Sequence, residues 1–286
     1  MKSAYRTYFD KLANKYSENK YLSSDPIEFC YQYKDKRDIE IVGFISALFS
    51  YGNVVAIKKH LANLFQYMGK SPFAFIQKGD FKNLEDQITK YRFQTKNDIL
   101  LFLKVLSKMI LQKNTLESYF QIKKNPNAKL NERIVHFQKS FLDRYKEELG
   151  NTKMSYGFLF LIGSGKQNSA HKRYCMFLRW MVQDSFPDFG IYKSISKSDL
   201  VYPADVHIVR ISSILGVSNR KSVDFKLAEM ITFYFKEMNK EDPLLYDFSL
   251  SRLGILKECK AEYRKEICER CELKKVCNKY KFRILN

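Results

Sequence analysis

The sequence predicts an all-α protein, and three observations carry that prediction. Glycine (11) and proline (6) are scarce among 286 residues. Apolar side chains recur at three- and four-residue spacing almost throughout, which is the period of one buried helix face. The strict apolar–polar alternation of a half-buried strand is nearly absent. No internal repeat and no low-complexity tract interrupts the pattern.

Taken in order, the periodicity predicts helices over 2–17, 25–34, 37–50, 53–69, 96–112, 114–122, 130–149, 154–162, 169–186, 205–216, 222–239 and 242–258. The first is amphipathic and charged. The third and fourth lie within IVGFISALFSYGNVVAIKKHLANLF (41–65), where the polar turn Ser50-Tyr51-Gly52-Asn53 joins them and Asn53 suits the N-cap of the next helix. Residues 123–129 and 186–202 are the clearest breaks, and neither has the composition of a flexible Gly/Ser linker. The helix over 154–162 ends in the apolar run Phe158 to Ile162 and meets Gly163-Ser164-Gly165. Two glycines so placed permit a tight turn at positive φ and leave backbone N–H groups uncovered. A helix starting near Ser169 would add more N–H donors and the positive end of its dipole, so a phosphate can sit there. A P-loop is excluded, because Phe160 stands where a glycine is needed.

In SAHKRYCMFLRWMVQDS (169–185), Tyr174, Phe177, Leu178 and Met181 share one helix face and are expected in the core. Lys172, Met176, Arg179 and Gln183 share the opposite face and are expected to look outward. Lys172 falls in the first turn, with His171 and Arg173 beside it, and a lysine amine is a nucleophile toward a carbonyl-like carbon. Lys166, just after Gly165, competes with it, and the default reading of either is an ordinary surface lysine. Farther on, Asp205 follows Pro203 and precedes the apolar run Ile208, Val209, Ile211, Ile214 and Leu215, the position of an N-cap.

A chain of this length can bury a large core, as one domain or as two interlocked ones. It has no run of about 18 apolar residues for a membrane helix. The stretch MKSAYRTYFDKLANKYSENK lacks the apolar segment of a signal peptide, so a cytoplasmic protein is expected. Fifty basic against 31 acidic side chains leave a net charge of +19. Such an excess attracts polyanions, of which nucleic acid is the commonest, although a lysine-rich compositional bias produces the same number.

Cys259, Cys268, Cys271 and Cys277 crowd the last thirty residues, at gaps of eight, two and five. Four thiolates this close can converge on Zn²⁺ or an iron–sulfur cluster. Two Cys-x-x-Cys pairs would indicate a zinc ribbon, but here one pair is flanked by two single cysteines. In a cytosolic chain, clustered cysteines read as metal ligands before disulfides.

This order of cysteines resembles the cluster loop of the endonuclease III superfamily of helix-hairpin-helix DNA glycosylases, although the first gap is longer than is usual there. LIGSG (161–165) resembles the L-P-G-x-G hairpin of that superfamily, with Ile162 replacing the proline. YPADVHIVR (202–210) resembles its proline-x-Asp-Thr-His-x-x-Arg stretch, matching at Pro203, Asp205, His207 and Arg210, with Val206 in place of threonine. The separation of 33 residues from Lys172 to Asp205, or 39 from Lys166, is longer than the common pattern and resembles the archaeal 8-oxoguanine glycosylase branch. The stretch around HKRYCMFLRWMV is also similar to an uncharacterised bacterial family labelled as a domain of unknown function.

The resemblance implies a two-lobed helical fold with a helix-hairpin-helix motif and a C-terminal four-cysteine loop. One lobe would comprise 1–36 with 187–286, and the other 37–186. It implies a 4Fe-4S cluster on Cys259, Cys268, Cys271 and Cys277, with zinc as the alternative. It implies a monomeric base-excision-repair enzyme that acts on double-stranded DNA with a damaged base, 8-oxoguanine or another oxidised purine. Lys172 would attack the sugar C1′ and Asp205 would assist electrostatically. Gly163, Gly165, Lys166, Ser169, His171, His207 and Arg210 would meet the DNA backbone, and Asn53 would bond the orphaned partner base. The alternatives are a monofunctional glycosylase for alkylated bases with Lys172 idle, a non-enzymatic DNA-binding protein with structural zinc, and an RNA-binding protein.

Overall fold

The computed structural model describes residues 2–150, 153–167 and 169–284. It is all-α: the described residues contain no strand, only an isolated antiparallel bridge between Tyr91 and Gln94. Contacts divide the chain into two compact units, residues 1–25 with 168–286, and residues 26–167. The first unit opens with α1 (Arg6–Lys15). The chain then enters the second unit for α2 (Lys36–Phe49), α3 (Val54–Met68), α4 (Pro72–Lys78), α5 (Lys82–Glu85), α6 (Lys96–Lys113), α7 (Leu130–Leu149) and α8 (Tyr156–Ile162). It returns to the first for α9 (Lys172–Val182), α10 (Val206–Ile214), α11 (Phe225–Lys236), α12 (Asp247–Ile255), α13 (Lys265–Cys268) and α14 (Asn278–Ile284). The crossings between units follow residues 25 and 167, where the resemblance implies 36 and 186.

In the second unit α2 is the central helix, buried from Asp38 to Phe49. Its two buried carboxylates explain how neighbouring segments start. Asp38 accepts from the Ser71 hydroxyl at 2.9 Å and from Phe73 N–H at 2.8 Å, which anchors the head of α4. Glu40 accepts from Thr115 and from Leu116 N–H at 2.7 and 3.0 Å. With those donors taken from outside and Asn114 in the left-handed region, the helix expected over 114–122 shrinks to a 3₁₀ turn, Glu117–Tyr119. Phe44, Phe102, Phe137 and Phe141 form the aromatic centre of this unit.

In the first unit α9 is the buried helix. The expected outward face is corrected here: Met176, Arg179 and Gln183 are all buried, and only Lys172 of that set is partly exposed. Arg179 can be buried because its guanidinium is paired with Asp188 at 3.0 Å and with Asp247, while Gln183 donates to Asp242 at 2.6 Å. The helix also starts later than Ser169. His171 adopts φ 47°, ψ 29°, a left-handed conformation that no α-helix continues, so α9 begins at Lys172. Pro243 and the Asp242 turn likewise delay α12 to Asp247.

Candidate functional site

Asp205 stands at the head of α10 as its N-cap. Its Oδ1 accepts from His207 N–H and Ile208 N–H, both at 2.8 Å. His207, the second residue of α10, lies against α12 at a place where no side chain intervenes. A Cβ on Gly254 would fall 2.5 to 2.7 Å from His207 Nδ1, Cβ and Cγ. The guanidinium of Arg210 reaches His207 Nδ1 at 3.4 Å and donates to the Cys259 carbonyl at 3.1 Å. Pro203-x-Asp205-x-His207-x-x-Arg210 is therefore a bracket: a cap, a packing ring and a tether from α10 to the cysteine segment. Burial lowers the pKa of His207, the charges of Arg210, Arg252 and Lys172 lower it further, and Asp205 opposes them. Lys172 thus lies within electrostatic reach of His207, although 35 residues separate them in sequence.

The neighbours of Lys172 are less uniform than the sequence suggests. His171 is 5% exposed, with its ring set against Tyr174 and Phe225. It belongs to the core and is corrected from its expected place as a surface contact to DNA. Ser169 is exposed, and its hydroxyl accepts from His171 N–H at 3.3 Å.

The four cysteines line one small cavity, together with Ile211, Ile214 and Leu215 from the end of α10 and Leu253 from α12. Backbone amides point at three of the sulfurs. Arg264 N–H donates to Cys268 Sγ at 3.3 Å, and the amides of Ala261 and Leu273 act on Cys259 and Cys271. Burial raises the thiol pKa of Cys271 to about 11 and raises that of Cys259, and the amides oppose both shifts. Thiols in an apolar cavity are poor thiolates, whereas amides aimed at sulfur stabilise the ligand form. Four cysteines on one cavity are the donor types of a thiolate-bound metal centre, which Cys259, Cys268, Cys271 and Cys277 would hold only by closing around it. Among the described residues no three His, Cys, Asp or Glu side chains are grouped as for a single metal ion. Two residues bordering Cys259, Lys257 and Ala261, take positive φ without being glycine, so the turn is held by its surroundings. One clamp is visible: Lys15 of α1 pairs with Glu258 at 2.9 Å and Glu272 at 3.6 Å, and Tyr16 donates to Glu258 at 2.8 Å. The single charge of Lys15 thus offsets part of the charge of Glu258 and Glu272.

Beneath the α10 bracket lies a charge network that the sequence reading missed. Arg179 pairs with Asp188 and Asp247, and Arg252 with Asp25 at 2.8 Å. Three carboxylates face two guanidiniums. Burial raises Asp188 to about 7 and Asp247 to about 6 despite Arg179, and the charge of Asp205 adds to the rise at Asp247. The available signal was Arg179 itself, a charge in the middle of an apolar helix.

In the second unit Asn53 caps α3, its Oδ1 accepting from Val55 N–H at 2.8 Å and Ala56 N–H at 3.4 Å. Gly163 and Gly165 take φ 95° and 69°. A Cβ on Gly163 would meet the Gln138 side chain at 2.2 Å, so this position requires glycine for space as well as for φ. Lys166 is exposed. The segment from Gly163 to His171 separates α8 from α9, a longer connection than the two-glycine turn alone requires.

A family model described as a protein of unknown function (DUF2400) matches residues 25–256. The chain belongs to that family. The DUF2400 match includes Asn53, the glycine turn, Lys172 and the α10 bracket, and it ends before Cys259. No curated protein and no solved structure matches the chain. No helix among the described residues is long and apolar enough to cross a membrane.

Proposed function

We propose that the chain is a cytoplasmic DNA glycosylase with AP lyase activity, removing an oxidised purine such as 8-oxoguanine from duplex DNA. The observation that supports this reading is the α10 bracket, a capped carboxylate beside an ordered His–Arg pair, in the same unit as Lys172, whose charge has the smallest effect of those acting on His207. The +19 charge supports attraction to the phosphate backbone.

The chemistry assigns one role to each group. The damaged nucleotide is extruded from the stack, at a cost of a few kcal/mol that is smallest for damaged or mispaired bases. The Lys172 amine attacks C1′ as the base leaves with the electrons of the glycosidic bond. The ring-opened sugar is then held as a Schiff base, and β-elimination breaks the C3′–O bond. Asp205 faces the positive charge that develops at C1′ while the base departs, where a fixed carboxylate stabilises the transition state more than the ground state. His207 and Arg210 are positioning residues. Cys259, Cys268, Cys271 and Cys277 would hold a 4Fe-4S cluster, which would order their loop against phosphates.

Borohydride trapping tests the reading. A duplex carrying 8-oxoguanine opposite cytosine is expected to give a covalent adduct with wild type and none with Lys172→Gln. An adduct that persists in Lys172→Gln moves the nucleophile to Lys166. Failure to release any base from oxidised, deaminated and alkylated duplexes refutes the enzyme.

A further inference from the structure

The second unit carries an exposed feature that the proposed chemistry does not use. Tyr91 and Gln94 exchange both backbone hydrogen bonds, at 3.0 and 2.9 Å, and close a two-residue tip of Arg92 and Phe93. Arg92 sits at φ 50°, a conformation expected of glycine in such a turn. Its place is prepared by Gly52, itself at φ 104°: a Cβ there would fall 2.4 Å from Arg92 Nη1. The guanidinium lies over the rings of Tyr51 and Phe93, at 5.7 and 5.6 Å. Phe93 is parallel to Tyr51, 7° between planes, and packs edge-on to Tyr156 at 5.8 Å. Phe160 fills the space below, 4.9 Å from Tyr51 and 4.7 Å from Phe93. Phe93 is 44% exposed and Tyr156 68%.

The platform is rigid. Gln94, buried beneath the tip, receives the Tyr51 hydroxyl and donates to the Gly157 carbonyl at 2.8 Å. Tyr91 donates its hydroxyl to the Tyr51 carbonyl at 2.9 Å. Gly157 has no room for a side chain, since a Cβ would come 2.3 Å from the Phe93 carbonyl oxygen. Ser155 caps α8 through Phe158 N–H and donates to Asp98. Two aromatic rings are thus held outward by a strained tip and a capped helix start, with a guanidinium at their side.

We propose that this platform binds single-stranded DNA by stacking unpaired bases on Phe93 and Tyr156, with Arg92 at the phosphates. An aromatic face accepts any base, a guanidinium adds charge and planar stacking, and a +19 chain supplies the long-range attraction. The proposal is independent of the glycosylase reading, because it needs neither a damaged base nor Lys172.

The test is anisotropy of a fluorescein-labelled oligothymidine with the full chain, across a salt series. Tyr156→Ala and Phe93→Ala are each expected to weaken binding about five-fold or more, with the salt slope retained. Phe233→Ala, at an aromatic in the other unit about as exposed as Tyr156, is expected to bind as wild type. Tyr156→Trp is expected to keep affinity, and its indole emission to be quenched as the ring stacks on a base. Wild-type affinity in both alanine variants, an equal loss in Phe233→Ala, an unquenched indole in Tyr156→Trp, or tighter binding of oligouridine or blunt duplex would each overturn the proposal. No chemistry is read, so an inactive enzyme leaves this test intact.

Discussion

Asp205 has two roles available to it, and one pair of substitutions separates them. As a cap, its Oδ1 receives two backbone donors at 2.8 Å at the head of a nine-residue helix. Asparagine caps about as well as aspartate, whereas alanine at such a site costs about 1 kcal/mol. For domains of this size that is a shift in Tm of roughly 2–4 °C. As an electrostatic partner of the departing base, the carboxylate contributes charge, and asparagine has none. Removing one preorganised stabiliser of a transition state costs about 10² to 10³ in rate. Asp205→Asn is therefore expected to melt within about a degree of wild type and to release 8-oxoguanine at least a hundred times more slowly. Asp205→Ala is expected to show both the lower Tm and the lost rate.

The assay is single-turnover base release beside a calorimetric melt on the same preparations. Wild-type turnover in Asp205→Asn would refute the electrostatic role and leave a structural cap. A Tm for Asp205→Asn as low as for Asp205→Ala would refute the cap argument instead.

Three further outcomes follow from the same geometry. Gly254→Ala forces a Cβ against the His207 ring and its Cβ, so a loss of about 1–3 kcal/mol is expected; urea midpoints should recover only in part in His207→Ala/Gly254→Ala, which removes the ring but keeps the Cβ contact, and no recovery would locate the strain elsewhere. Asp188 and Asp247 hold protons in the folded state, near pH 7 and 6, that they release near 3.8 when unfolded, so stability contributed by this network should fall as pH rises from about 4 to 7 and level off above. Denaturant titrations check the slope, Asp188→Asn should flatten it, and stability that rises through this window would contradict the charge count. Anaerobically purified chain is expected to be brown, with iron and inorganic sulfide in equal amounts that fall in Cys271→Ser; a colourless chain with one zinc would favour the structural-zinc alternative.

What the sequence made legible was local. The N-caps Asn53 and Asp205, the glycine turn at 163–165 and the helix of 130–149 each follow from residues within one or two turns of each other. No helix was expected over α4, because seven residues are too few for periodicity to register. The outward face assigned to α9 failed because Arg179 has its partners nine and 68 residues away, and a guanidinium can be buried once carboxylates are there to pair with it. The cysteine count was plain, whereas the amides aimed at the sulfurs depend on turns at Lys257 and Ala261 that only the folded chain displays. The aromatic platform was illegible for a similar reason. Twenty-three phenylalanines and 19 tyrosines look alike in sequence, and only the 91–94 tip and the capped start of α8 turn two of those rings outward.

The two roles open to Asp205 would not conflict, because they would fall on different atoms. Both capping donors end on Oδ1, so the cap fixes the carboxylate plane and its rotamer without calling on Oδ2. His207 is pressed on Gly254 and Arg210 is tied to the Cys259 carbonyl, so the helix that carries the carboxylate is itself held at two points. A charge that must meet a transition state gains from such restraint, since it need not reorganise as the bond breaks. Asparagine would place an amide nitrogen where Oδ2 stands and leave the Oδ1 cap as it is. That is the physical reason its effect should appear in the rate and not in the melt.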